Sequence, residues 1–309
     1  MIHPKNGPVF VVIQQYAFHA AIKPGEDAEK WTEQDAKRVF SEAVGADIPI
    51  EILSMGTWLA GHALVAEKFQ RGRVFIAGDA AHLFTPTGGL GYNTAVEDAV
   101  NLAWKLAGVI RGYATMTLLD TYEAERRPLA QRNTGYARHF ADSVGLFSAK
   151  PELDDDSTDG EIERAKASEH LNRHARLEFN IPGVTFGGRY DDSPIIAYDG
   201  AALPPDEPNN YVPTASPGGR PPHSWLEDGR SLYDAFHTEW TLLALGETAP
   251  TTNGFTNAAK SMGIDLQVVL LPAKDLLDLY EAPLVLIRPD QIIAWRGETD
   301  RDGPQVLSL

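Results

Sequence analysis

Gly72-Arg73-Val74-Phe75-Ile76-Ala77-Gly78-Asp79-Ala80-Ala81-His82, then Pro86-Thr87-Gly88-Gly89-Leu90-Gly91-Tyr92-Asn93, then Asp98-Ala99-Val100-Asn101-Leu102-Ala103-Trp104-Lys105-Leu106, is the stretch that decides the fold. Residues 74–77 form a short apolar run that reads as a buried strand. Gly78-Asp79 ends it, and a loop rich in Gly and Pro follows. A helix is expected over residues 94–110, with apolar positions at helical spacing and Thr94 and Glu97 as a capping box. A strand that ends at Asp79 puts a carboxylate where open α/β sheets bind ligands. Gly78 lets a ligand approach the backbone, and Asp79 offers acceptors for sugar or polyol hydroxyls. The Gly88-Gly89-Leu90-Gly91 turn exposes N–H groups at the positive end of the following helix. That end suits a planar ring gathering negative charge on a carbonyl edge. Each part alone is commonly just a turn; the three in order are far more specific.

Working outward, residues 9–13 and 18–22 read as an antiparallel hairpin or two neighbouring strands, the second stopped by Pro24-Gly25. Thr32 caps a helix to about Val44, with Asp35 three residues on and Gly45 at its end. Residues 51–58 read as a further strand. Beyond the central helix, another is expected over residues 118–126. Pro128 falls just past it, and helix resumes to about Ser143. Residues 150–160, with Asp154-Asp155-Asp156, read as an exposed acidic loop, and residues 161–180 as helix. Residues 182–222 are rich in Pro, Gly, Asp and Asn and read as a long connector. The tail alternates helical and strand runs: 231–236 helical, 240–245 strand, 256–262 helical, and strands at 266–271, 284–288 and 292–296. That order reads as a small α/β sandwich.

The chain has 309 residues, enough for two domains, and its 43% hydrophobic content can build sizeable cores. A net charge of -16 argues against nucleic acid and anionic membranes as partners. With no cysteine, disulfides, thiolate metal sites and cysteine nucleophiles are excluded. No apolar run approaches a membrane span, and the first residues are too polar for a signal peptide. A soluble, cytoplasmic protein is expected.

The three motifs together resemble the class A FAD-dependent aromatic hydroxylases, the para-hydroxybenzoate hydroxylase and phenol hydroxylase family. The tail adds to the likeness through Pro217-Gly218-Gly219-Arg220-Pro221-Pro222-His223-Ser224-Trp225-Leu226, Arg288-Pro289-Asp290 and Ala294-Trp295-Arg296-Gly297. The resemblance implies an α/β fold: the C-terminal half of such a monooxygenase, with part of the FAD domain and part of the substrate sheet, followed by a thioredoxin-like domain. The implied boundaries are 1–70 for the partial substrate sheet, 71–180 for the FAD-domain part, 181–222 for a linker and 223–309 for the thioredoxin-like domain. It implies FAD as cofactor and NAD(P)H as co-substrate, in hydroxylation of a phenol-like ring with dioxygen. Asp79, after Gly78, would take the ribityl chain. Pro86, Gly88, Gly89, Gly91, Tyr92 and Asn93 would line the flavin ring, with Pro86 also facing the aromatic substrate. Glu125-Arg126-Arg127-Pro128 matches a family pattern and is taken as structural. Without Cys-x-x-Cys the tail domain has no dithiol chemistry, so a structural or dimer role is expected.

The family's Gly-x-Gly-x-x-Gly turn, which holds the ADP pyrophosphate, has no counterpart here, nor has the acidic residue about 20 positions on. A sheet edge and core surface are therefore expected to be exposed. Either the start lies upstream, or another chain supplies the missing half, or the chain is a remnant; a homodimer is also open. Two further readings stand beside hydroxylation: a non-catalytic interaction module, and another flavin-dependent oxidoreductase.

Gln14, Tyr16, His19 and Trp58 fall where the family's substrate sheet lies, and the first three are candidate substrate contacts, though each alone reads as packing or surface. His82 reads as a structural hydrogen-bonding residue. His170 and His174 share a helix face without the Glu of a His-Glu-x-x-His site and read as a solvated face. Trp104 reads as core. No metal site and no catalytic base is identified.

Overall fold

The computed structural model describes residues 2–3, 7–8, 18, 20, 25, 27–57, 62–145 and 149–309. The strand expected over residues 9–13, most of that over 18–22, and Gln14, Tyr16, His19 and Trp58 lie outside the described residues. The chain divides into two units, Met1–Ala60 and Gly61–Leu309.

In the first unit, β1 (Ile2–His3) pairs antiparallel with β2 (Gly7–Pro8). Helix α1 (Glu33–Val44) starts and stops where its sequence dictates. Thr32 and Asp35 exchange capping-box hydrogen bonds, and Gly45 closes the helix in the left-handed region at φ 72°. The strand expected over 51–58 does not form among the described residues, 51–57. Leu53 and Met55 are exposed there, and an extended run without a ladder partner has nothing to hold it as a strand.

The second unit opens with two minimal antiparallel pairs. Strand β3 (Leu64–Val65) pairs with β6 (His82–Leu83), and β4 (Gln70–Arg71) with β5 (Val74–Phe75) around Gly72. The buried strand expected over 74–77 is thus a two-residue hairpin arm, and Val74 is 67% exposed. Its partner reaches only two residues back before the Gly72 turn, so one side stays uncovered. Leu64 and Ile110 are exposed as well.

Three long helices follow: α2 (Leu90–Arg111), α3 (Thr117–Gly145) and α4 (Thr158–Phe179). Helix α2 starts four residues before the expected Thr94. Thr94 is buried, and its hydroxyl accepts from Asn133 instead of capping. Glu97 pairs with Arg126, so no capping box exists there. Pro128 does not interrupt α3, which runs through it as one helix. The missing N–H leaves the Ala124 carbonyl unpaired in the helix, and Ala124 is exposed, so water can replace that bond. Asp154 to Asp156 are exposed, as expected.

A short helix, α5 (Pro182–Phe186), begins the segment that leads to the tail. This segment packs: Tyr190, Ile196 and Ala215 are buried, and Gly218 and Gly219 exchange backbone bonds with Ile293. The tail folds as β7 (Trp240–Leu245), α6 (Asn253–Met262), β8 (Leu266–Leu271), α7 (Lys274–Tyr280), β9 (Leu284–Ile287), β10 (Ile293–Gly297) and α8 (Gly303–Val306). Sheet order is β10-β9-β7-β8, with β7 and β8 parallel and the other pairs antiparallel. That is the thioredoxin-like arrangement. Leu243, Val285 and Ile287 face one apolar core, and Leu242, Leu284 and Leu286 the other. Both faces are thus covered, which explains the near-continuous apolar strands.

A buried ionic cluster joins this sheet to the long helices. Arg288 donates to both oxygens of Glu125 on α3, at 2.6 and 2.9 Å. Lys105 Nζ and Asn101 Nδ2 on α2 reach the same carboxylate at 2.6 and 2.7 Å, and Ser193 Oγ donates at 2.5 Å. Asp290 balances the other edge of Arg288 at 2.6 Å. Trp104 packs edge-on to Trp240 with its ring centre 5.0 Å from the Arg288 guanidinium, which makes it core, as expected. Burial works against the Glu125 charge, but Arg288 and Lys105 outweigh it and hold its carboxyl well below the usual carboxylate range.

Glu125→Gln leaves buried Lys105 without its anion and Arg288 with Asp290 alone, and should cost about 3–5 kcal/mol, read from urea unfolding at pH 7. Because the folded-state pKa of Glu125 is depressed, its stabilisation is complete above the ordinary value of 4.5 and is lost as pH falls through the folded value. Wild-type stability should therefore decline below about pH 4.5, and Glu125→Gln should flatten that decline.

Candidate functional site

The site is built where the hairpin strands run into α2. Gly78 opens a short 3-10 turn, Gly78–Ala80, and is buried at φ 57°, in the left-handed region. A Cβ there would stand 3.2 Å from the Cβ of Ala95 on α2, so the turn lies directly against that helix. The Gly78 N–H donates to Asp98 Oδ2 at 3.1 Å. Asp98 also accepts from Arg126 Nε at 2.8 Å, and His82 Nε2 lies 2.6 Å from the oxygen that Gly78 uses. Burial disfavours the Asp98 charge, but the bonds from His82 and Arg126 outweigh it and hold its carboxyl below the usual range. His82 is thus structural, as expected. The carboxylate of Asp79, by contrast, is exposed and has no hydrogen-bond partner among the described residues.

The other wall is the turn Thr87–Gly89, which runs straight into α2. Gly88 and Gly89 take φ values of 73° and 64°, which favour glycine. Pro86 precedes them and is exposed. No side chain caps the start of α2, so N–H groups of its first turn have no partner within the helix. Gly91 packs beside Phe84, Tyr92 is 79% exposed, and Asn93 Nδ2 donates to the Gly89 carbonyl at 2.8 Å. These first-turn residues lie in the helix itself, where the sequence reading had them in a loop before it.

The described fold therefore brings Gly78, Asp79, Pro86, Gly88, Gly89, Gly91, Tyr92 and Asn93 into one region around the start of α2. It presents a free carboxylate, glycines without Cβ atoms, and the positive end of a 22-residue helix. Such a set fits an elongated ligand with hydroxyls at one part and a ring carrying negative charge at another. Among the described residues no cluster of three or more His, Asp or Glu could hold a metal.

Sequence reasoning passed over the residues that hold these walls. Asp98 and Arg126 stand in the quoted motifs, but Asp98 follows Glu97 and Arg126 lies between Glu125 and Arg127, so no local pattern marks either as inward-facing. Glu178 carried no local signal, for it lies 90 residues from the Gly88 N–H it accepts at 2.9 Å. His174 is buried, not solvated, with Nε2 2.7 Å from Glu178 Oε2. The reason is that α4 packs against α3 and the glycine turn. His170 shares a bond with the Ser143 carbonyl at 3.0 Å.

Comparison with known proteins adds two family matches: FAD binding domain over residues 4–137, and aromatic-ring hydroxylase, C-terminal, over residues 214–308. The chain is 33% identical over 307 residues to tetracenomycin B2 monooxygenase-dioxygenase of Streptomyces olivaceus, covering 94% of this chain and 51% of that protein. It is 31% identical over 314 residues to phenol 2-monooxygenase of a Pseudomonas species (strain EST1001), covering 91% and 51%. Among solved structures, the rebeccamycin biosynthetic enzyme RebC with reduced flavin matches with a TM-score of 0.79 and 38% identity, over 88% of this chain and 51% of that one. The flavin-dependent monooxygenase PieE, in complex with FAD and substrate, matches with a TM-score of 0.79 and 28% identity, over 94% and 56%. The chain spans about half the length of the curated relatives it matches.

Gly78→Ala forces a side chain into the left-handed region and against Ala95, and should destabilise by about 1–2 kcal/mol or more. A thermal melt lowered by several degrees relative to wild type is the expected readout.

Proposed function

Because this chain belongs to the FAD-dependent aromatic hydroxylase family, we propose that it forms the ring-side part of a flavin monooxygenase site. The reaction is hydroxylation of a phenol-like aromatic compound using NAD(P)H and dioxygen. The observation that carries this reading is the unpaired, exposed Asp79 carboxylate, next to the Gly78 turn that packs on Ala95 of α2, on the same helix whose start is uncapped. The chemistry FAD supplies when bound is acceptance of electrons from a reduced nicotinamide and activation of dioxygen.

The chain's own residues bind and orient. Asp79 accepts hydrogen bonds from ribityl hydroxyls, and Gly78 keeps the approach clear. Gly88 and Gly89 admit the ring edge. The N–H groups of Gly91 to Asn93 meet its pyrimidine side, where the helix end favours negative charge. Pro86 faces the aromatic substrate, and Gln14, Tyr16 and His19 are the proposed further contacts. No side chain has to act as nucleophile. A second reading, an interaction module without catalysis, is favoured by the exposed apolar side chains of Leu64, Val74 and Ile110.

Titrating the purified chain with FAD separates the two. Binding should perturb the visible flavin bands, and Asp79→Ala should weaken it about 10-fold, the worth of a charge-assisted hydrogen bond. Flavin bands left unperturbed at millimolar protein would sink the flavin reading and leave the module. Where flavin binds, NAD(P)H oxidation stimulated by phenols, with a hydroxylated product, tests the reaction.

A further inference from the structure

The glycine turn is clamped from two sides. On one, Thr87 Oγ1 donates to the Ala137 carbonyl of α3 at 2.5 Å. On the other, the Gly88 N–H donates to Glu178 Oε1 of α4 at 2.9 Å. The second oxygen of Glu178 is taken by His174 Nε2 at 2.7 Å, one turn back on α4. Both side chains are largely removed from solvent, at 12% and 10% exposure. Gly88 also lies close to α3, for a Cβ at its position would meet the ring of Phe140 at 3.0 Å.

The position of Glu178 is itself informative. It lies in the last turn of α4, where the helix dipole disfavours an anion. Its charge gains from reaching outside its own helix, to the N–H of Gly88 in the turn before α2. We propose that Glu178 is a positioning residue for the proposed flavin site, and that His174 orients it. The pair latches the Thr87–Gly89 turn so that the first-turn amides of α2 keep a fixed aim. The link to flavin rests on the reading above; the latch itself does not.

Two measurements on the full chain test it. The first is amide hydrogen exchange at Gly88 without flavin. Glu178→Ala should speed it about 10- to 100-fold, the equivalent of one lost charge-assisted bond. Glu178→Gln, which keeps an acceptor oxygen, should restore much of the protection. Exchange at Leu243 and Val285 in the distant sheet should not change, which separates a local latch from general unfolding. Unchanged Gly88 exchange in Glu178→Ala overturns the proposal. The second is titration with lumiflavin, the ring alone. Weaker binding and an altered visible band shape in Glu178→Ala, rescued in Glu178→Gln, support the aiming role. Equal binding by the wild type and Glu178→Ala overturns it. If the wild type binds no lumiflavin, the flavin reading and the aiming role fall, while faster Gly88 exchange still upholds the latch.

Discussion

One fully buried carboxylate, that of Glu125, holds the larger unit together. It takes hydrogen bonds from α2, from the coil after α5 and from the end of β9, while sitting on α3. An anion at that depth is tolerable only when its lone pairs are all used. The requirement fixes relative placement: α2, α3 and the thioredoxin-like sheet must meet at one point and in one orientation. The apolar cores on either side of the sheet are less particular, since apolar contacts have no such directionality.

The same device recurs on a smaller scale at the candidate site. Asp98 grips the Gly78 N–H from beneath, and Glu178 grips the Gly88 N–H from the side. Both glycines take backbone conformations that other residues adopt at a cost, so the carboxylates hold conformations the chain would otherwise leave in part of the time. The exposed face of the site is left with Asp79 and bare amides. Division of labour among the acidic residues is thus by depth, with the buried ones shaping the backbone and the surface one free to meet a ligand.

Much of this was legible in the sequence where the signal is local. The capping box at Thr32, the strands of the tail and the order strand, glycine turn, helix all come from short-range rules. The tail's strands were found to within a residue because the runs are mostly apolar, and the central strands β7 and β9 are buried on both faces. What escaped is set by partners far away in the chain. Thr94 looks like a cap until Asn133 claims its hydroxyl. Residues 74–77 look buried until their partner proves to be a two-residue arm. His174 looks solvated until α4 is laid against the glycine turn. Pro128 looks like a helix end because the rule weighs the missing bond and not the solvent that replaces it.

The Glu125–Arg288 contact spans 163 residues. Bringing its ends together costs chain entropy, and both charges must shed water, so neither is rewarded until the helices and the sheet each exist. The handshake is therefore a late event in assembly. Once made, it ties the helices and the sheet through one point, so loss of the Glu125 anion should loosen both together.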